Sequence, residues 1–323
     1  MKTIRWGIIG VGNVTEVKSG PGFRKAENSE LVAVMRRNGD LARDYAERHG
    51  VARWYDDGEA LINDPAVDVV SIAAPPNVHK DYTLMCAQAG KPVYVEKPMA
   101  RTHAECQAMV EACAAAGVPL WVAYYRRMLP RFLKIKEMIE DGTLGEIRSV
   151  AIQFYSPPPD LSDGEIPWRL QPEIGGAGGR FTDLAVHMFD FLDYALGPIA
   201  SAQGIAVNQG KIYPADDHVV AQFAFESGVI GVGDWCFTAA EHVDRTQIIG
   251  TKGTVTYATF NASPLVITRG DDRQEIAIDN PPHIQQPLIQ SIVDEINGKG
   301  QCPSTGVSGA RTTWVTDQIL GLT

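Results

Sequence analysis

Short apolar runs alternate with amphipathic stretches over the first 123 residues. The run Ile4–Ile9 predicts a strand, with the glycine-rich segment Gly10-Val11-Gly12 just after it. A second strand is expected over 31–35, and Asp40 is expected to cap a helix that stops near Gly50. The run 67–73 predicts a third strand, and Asn77 is expected to cap a helix ended by Gly90. Another strand covers 93–96. Thr102 and Glu105 have the spacing of a capping box, for a helix that ends near Gly117. Residues 120–123 complete the series. Strand–helix alternation of this kind implies a parallel sheet covered on both faces.

The pattern changes after Tyr124. A helix is expected over 131–140, a strand over 147–155, a Pro-rich loop over 156–172, and a Gly-rich turn over 175–179 that opens a helix to about 196. β-patterned runs follow at 205–208, 219–225, 229–235, 246–249, 254–257, 265–268 and 275–278, separated by Gly and Asn/Asp turns. Two helices, about 284–297 and 308–320, end the sequence. The expected fold class is α/β, with an N-terminal Rossmann domain over 1–123. An α+β domain with a mostly antiparallel sheet follows over 124–323, and its final helix is a candidate to pack back on the first domain.

At 45% hydrophobic and 21% charged residues, the 323-residue chain has enough apolar content for two cores, and nothing marks it as globally disordered. Its net charge of −10 argues against non-specific nucleic-acid binding, which needs basic patches. No run approaches the roughly 18 apolar residues of a membrane span, and no signal-peptide core is evident. The five cysteines form no CxxC pair, which fits a reduced, cytoplasmic setting.

The turn Gly10-Val11-Gly12-Asn13-Val14-Thr15 stands between a strand and a helix, the context a dinucleotide fingerprint needs. The first glycine permits the tight turn. The second lets backbone approach a pyrophosphate at the helix N-terminus, with Asn13 and Val14 beside it. Thr15 replaces the third glycine, so close helix–strand packing is less assured. Arg36 and Arg37 end the second strand where NAD enzymes usually place an acid, which points to NADP over NAD. Glu96-Lys97-Pro98 ends a central parallel strand, so Lys97 is delivered to the edge where such sheets bind ligands.

Three segments together, Gly7 to Gly12, Ala74-Pro75-Pro76-Asn77-Val78-His79 and Glu96-Lys97-Pro98, resemble the glucose–fructose oxidoreductase / inositol dehydrogenase (Gfo/Idh/MocA) family. The stretch from Gly175 through Asp183 to His187 resembles that family's Gly-rich entry and Asp-x-x-x-His helix, and Trp168-Arg169-Leu170 is similar to its 1,5-anhydro-D-fructose reductase branch. The resemblance implies an NAD(P)-dependent oxidoreductase acting on a sugar-like substrate, with Lys97, Asp183 and His187 at the catalytic positions. It also implies homo-oligomer contacts through the C-terminal sheet.

Spacing agrees with those roles. Asp183 and His187 are four apart on one helical face, a stripe that Asp190 and Tyr194 extend, while Leu184, Met188 and Leu192 face elsewhere. A histidine serves as base or acid near neutrality, and a lysine polarises the same oxygen. The competing possibility is a surface helix with an ordinary Asp/His pair. Ala74, Pro75, Asn77, His79 and Glu96 are expected near the cofactor, although Asn77 is first explained as a helix cap. Tyr125, Arg127, Trp168 and Arg169 are candidate substrate contacts. Asp216-Asp217-His218 and His283 have no metal-site spacing, so no metal is expected. The alternatives are a glycosidase that works by transient oxidation of substrate, and a non-catalytic dinucleotide-binding regulator.

Overall fold

The computed structural model describes residues 1–322, folded as two compact units. The first comprises Met1–Met128 and Pro281–Ala310; the second comprises Leu129–Asn280 and the chain from Arg311 on. A single cut near residue 123 therefore misses one feature: the segment after Asn280 rejoins the first unit.

In the first unit, strands β1 (Ile4–Ile9), β2 (Ser29–Met35), β3 (Arg53–Tyr55), β4 (Val69–Ile72), β5 (Val93–Val95) and β6 (Leu120–Val122) form one parallel sheet in the order β3-β2-β1-β4-β5-β6. The connecting helices are α1 (Asn13–Val17), α2 (Ser19–Lys25), α3 (Gly39–His49), α4 (Gly58–Ile62), α5 (His79–Gln88) and α6 (His103–Ala116). β4, β5 and β6 are buried throughout because helices cover such a sheet on both faces. Strand order reverses between β1 and β4, so the carboxyl ends of these two strands flank the crevice where doubly wound sheets take ligands. Beneath the sheet the rings of Trp6 and Phe23 stand 4.6 Å apart, with Tyr94 edge-on to both.

β3 and α4 escape the hydrophobic pattern. β3 is three residues long, with Arg53 and Trp54 exposed, and α4 has five residues. Three caps also differ from expectation. Asn38, not Asp40, caps α3 by accepting from the Leu41 amide, while Asp40 lies in the first turn and pairs with Arg43. Asn77 sits inside a 3-10 turn, Pro76–Val78, and caps nothing. Thr102 does accept from the Glu105 amide, but the Glu105 carboxylate accepts from Arg101 instead of Thr102, one residue before a true capping box.

The second unit contains α7 (Pro130–Glu140), β7 (Ile147–Tyr155), α8 (Pro172–Gly175), α9 (Arg180–Leu196), β8 (Ile199–Val207), β9 (His218–Phe225), β10 (Ile230–Cys236), β11 (Val243–Gly250), β12 (Thr254–Tyr257), β13 (Leu265–Arg269) and β14 (Asp272–Ile276). The strands form one sheet, β14-β13-β12-β11-β7-β10-β9-β8, antiparallel except where β10 meets β7. β9 and β10 alternate buried and open positions, as expected of a sheet covered on one face. α9 covers that face: the Phe189 ring lies 5.3 Å from Phe223 and 5.5 Å from Trp235, and the Trp235 indole donates to the Met188 sulfur. The other face exposes Ile205, Val220, Ile230 and Val232, with Ile205 paired directly across from Val220.

The last two helices are α10 (Gln286–Ile296) and α11 (Gly306–Leu320). α10 packs on α2 so closely that a Cβ at Gly22 would stand 2.7 Å from Ile289. Beyond it the chain runs along β6. Thr305 bridges to Trp121, Ser304 donates its hydroxyl to the Val122 carbonyl at 2.7 Å, and the Arg127 guanidinium donates to the Pro303 carbonyl at 2.8 Å. Among the described residues no helix is long and apolar enough to cross a membrane.

Candidate functional site

The glycine turn leaves β1 with Gly10 at φ +94°, a conformation L side chains rarely adopt, and a Cβ there would stand 2.7 Å from the Ala74 amide nitrogen. Glycine is thus required where the ends of β1 and β4 approach. At Gly12 an added Cβ would meet nothing, so the space in front of it is open. Thr15, at the third glycine's position, closes the turn. Its buried hydroxyl accepts from the Gly12 amide at 2.9 Å and donates to the Gly12 carbonyl at 2.8 Å, while Tyr45 donates to the Thr15 carbonyl. Asn13 and Val14 open α1, whose own ladder leaves their amide donors available. Open space beside bare amides at the end of β1 fits a pyrophosphate.

Arg36 and Arg37 are exposed at the end of β2; the Arg36 backbone N–H donates to the Tyr55 carbonyl, and neither guanidinium makes a hydrogen bond or ion pair among the described residues. His79 does not serve the expected role. It is fully buried, with Nε2 2.7 Å from the Ala74 carbonyl and Nδ1 3.1 Å from the Pro98 carbonyl. Both ring nitrogens are occupied by backbone, so His79 ties the turn after β4 to the segment after Lys97 and has no nitrogen left for a ligand. Burial lowers its proton affinity. Ala74, Pro75 and Asn77 remain half-buried at the end of β4.

Lys97 follows β5 and is half-buried. Behind it the Glu96 carboxylate accepts from the Gln285 amide at 2.7 Å and from the Lys97 backbone N–H at 3.3 Å. Tyr125 lies in a 3-10 turn after β6, buried, with the Arg126 guanidinium 5.1 Å from its ring centre. Burial opposes ionisation of the Tyr125 phenol, but the charges of Arg126, Lys18 and Lys97 together pull it below its ordinary value. The first unit therefore collects Lys18, Glu96, Lys97, Tyr125 and Arg126 in one electrostatic cluster. Lys18 and Gln285 have no motif that would single them out in the sequence. Arg127 is buried and anchored to Pro303, which makes it part of the scaffold.

In the second unit α9 is not a surface helix. Asp183, His187, Asp190 and Asp193 are all buried, as are Met188 and Leu192. The polar stripe is thus set into the interior, where an acid or an imidazole is shielded from water. Asp183 accepts from Arg169 Nε at 3.1 Å, and the Arg169 guanidinium stacks 4.1 Å from the centre of the Trp168 ring. Trp168, Arg169 and Asp183 form one continuous arrangement, with the Phe260 ring edge-on to His187 at 5.8 Å. Asp193 makes a two-pronged pair with Arg311. Asp217, fully buried, accepts from the Gln209 and Gly210 amides and closes a loop, and His218 pairs with Asp234 on the sheet. No group of three or more His, Cys, Asp or Glu is arranged to hold a metal among the described residues.

Comparison with known proteins agrees with this construction. Residues 4–124 match a family model described as an oxidoreductase family with an NAD-binding Rossmann fold, and residues 132–256 match the GFO/IDH/MocA C-terminal domain. Oxidoreductase P35 of Formosa agariphila is 38% identical over 98% of each chain. The 1,5-anhydro-D-fructose reductase of Ensifer adhaerens is 27% identical over 94% of this chain and 92% of that one. A levoglucosan dehydrogenase solved with NADH and levoglucosan has the same fold, with a TM-score of 0.84 at 23% identity, over 98% of this chain and 96% of that one.

Proposed function

The chain belongs to the Gfo/Idh/MocA family of oxidoreductases, and from that premise we propose that it moves a hydride between a nicotinamide dinucleotide and a carbinol or carbonyl carbon of a sugar, polyol or keto-sugar. The observation that supports this best is that the Gly10 turn and the Lys97 strand end share the carboxyl edge of one parallel sheet. Gly10, Gly12, Asn13, Val14, Ala74 and Pro75 are the residues that would hold the dinucleotide, which supplies the hydride acceptor or donor when bound.

The protein's own work is on the proton. His187 takes the hydroxyl proton in oxidation and returns it in reduction. Lys97 polarises a substrate oxygen, and Asp183, braced by Arg169, orients the imidazole or binds a substrate hydroxyl. Trp168 and Arg169 contact substrate from the loop before α9. Their similarity to the anhydrofructose reductase branch favours a keto-sugar among the substrates. A panel of sugars, inositols and keto-sugars, followed by absorbance of the reduced nicotinamide, tests the reading. Turnover of at least one panel member is expected, and release of a leaving group with no net change in cofactor would replace the reading with transient-oxidation glycoside cleavage.

The unpaired Arg36 and Arg37, with no carboxylate at the end of β2, favour the 2′-phosphate of NADP. A lower KM for NADPH than for NADH is the expected result, and the reverse order excludes it. The exposed stripe of Ile205, Val220, Ile230 and Val232 favours a homo-oligomer built on the second unit's sheet, which sedimentation of the full chain measures.

A further inference from the structure

The strand end that carries Lys97 is braced from a part of the chain nearly 200 residues away. Gln285 stands just before α10 in the returning segment of the first unit, and its amide donates to Glu96 Oε1 at 2.7 Å across a sequence separation of 189. On its other side the Gln285 carbonyl accepts from the Tyr94 hydroxyl at 3.1 Å. The carboxylate fixes which way the amide points: an ionised Glu96 only accepts, so the NH2 faces it and the oxygen is left for the Tyr94 hydroxyl. The second carboxylate oxygen accepts from the Lys97 backbone N–H. Tyr94 and Gln285 are each 1% exposed and Glu96 is 9% exposed, so water does not substitute for these bonds.

We propose that Gln285 is a positioning residue that keeps Glu96 a charged, two-armed acceptor behind Lys97. A buried carboxylate loses its charge unless donors and cations hold it. Burial pushes the Glu96 carboxyl above its ordinary value, while Gln285, Lys97 and Lys18 pull against that rise. The phenols of Tyr94 and Tyr125 face the same group, and neither supplies a positive charge. Among the described residues, the Gln285 amide is the one neutral donor to Glu96 from outside the Lys97 strand end, so it can hold Glu96 independently of that segment. If Glu96 takes up a proton, one oxygen becomes a donor, the Lys97 amide loses its anionic acceptor, and the ammonium loses the charge of a neighbouring carboxylate. The lysine then moves more freely just where it must meet a substrate oxygen.

The inference rests on the assignment of Lys97 to the active site, so its test reads Glu96 directly as well as through turnover. On the full chain, the infrared carbonyl band of a protonated carboxylic acid is followed against pH and assigned to Glu96 by its loss in Glu96→Gln. In Gln285→Leu the midpoint of that band is expected to rise by roughly one pH unit, because a hydrogen bond to a buried charge is removed. The acid limb of the kcat profile is expected to rise with it, while KM for the dinucleotide stays within about twofold. Tyr94→Phe, a smaller change that keeps the core packed, is expected to move both in the same direction by less. A midpoint that does not move overturns the coupling of Gln285 to Glu96. A midpoint that moves while the acid limb stays in place overturns the positioning role and leaves only core packing. Wild-type turnover in Lys97→Ala would instead remove the active-site assignment, and the infrared shift would survive it.

Discussion

The two units handle charge by opposite means. In the first, the candidate ligand site is made largely of main chain: a glycine at positive φ, amides at the start of α1, and an open space where Gly12 lacks a side chain. In the second, it is made of side chains on a buried helix, Asp183 and His187, with an arginine–tryptophan pair bracing the acid. A main-chain site depends on local conformation and tolerates few residues, so it leaves a motif. A side-chain site depends on what surrounds the helix, and the sequence alone leaves that open.

Substitutions can break this contrast, beginning with the largest effect. His187→Ala is expected to lower kcat by roughly 10²-fold or more with little change in melting temperature, since acid–base catalysis contributes on that scale. Steady-state rates beside a thermal melt decide it, and unchanged kcat would remove the side-chain half of the comparison. Gly10→Ala comes next. A Cβ placed 2.7 Å from Ala74 at φ +94° should cost about 2 kcal/mol of stability, measured by urea unfolding. Gly12→Ala, with open space around it, should leave stability within about 0.5 kcal/mol but weaken dinucleotide binding about tenfold. Equal effects on stability at the two glycines would mean that the turn is not divided between fold and ligand.

The smallest effect sharpens the contrast from outside the site. Burial works against the Asp68 carboxylate, but hydrogen bonds from Arg5 and Lys2 hold it well below the usual carboxylate range. A depressed pKa of this kind adds stability that is present above about pH 4, near the unfolded value, and is lost as pH falls further. Because Lys2 is largely exposed and Arg5 more than a third exposed, Asp68→Asn should cost under about 1 kcal/mol at neutral pH and flatten the acid limb of the unfolding curve. An unchanged acid limb would mean that other carboxylates carry it.

The same division explains what was legible beforehand. β7 and β12 occupy the residues expected of them, because each alternates or runs apolar without interruption. β8 begins at Ile199, six residues before its apolar signal, since Ala200, Ser201, Gln203 and Gly204 carry none. Asn38 and Asp40 are both good caps, and only the backbone's turn into α3 chooses between them. In the site, Gly10, Lys97, Asp183 and His187 are marked by spacing and by family resemblance. His79 reads as a ligand contact until its two carbonyl partners are seen. Gln285 has no signal of its own, because its meaning lies in a partner 189 residues away.

The returning segment also bears on how the molecule is made. Pro281–Ala310 completes the first unit, carrying Gln285 to Glu96 and laying Thr305 beside Trp121. During synthesis the amino-terminal sheet emerges first, yet it must wait for nearly the whole chain before its last side chains are met. The unit translated first is therefore completed only after most of the second has been made, and a ribosome stalled anywhere before residue 281 holds a nucleotide fold whose Glu96 still lacks Gln285.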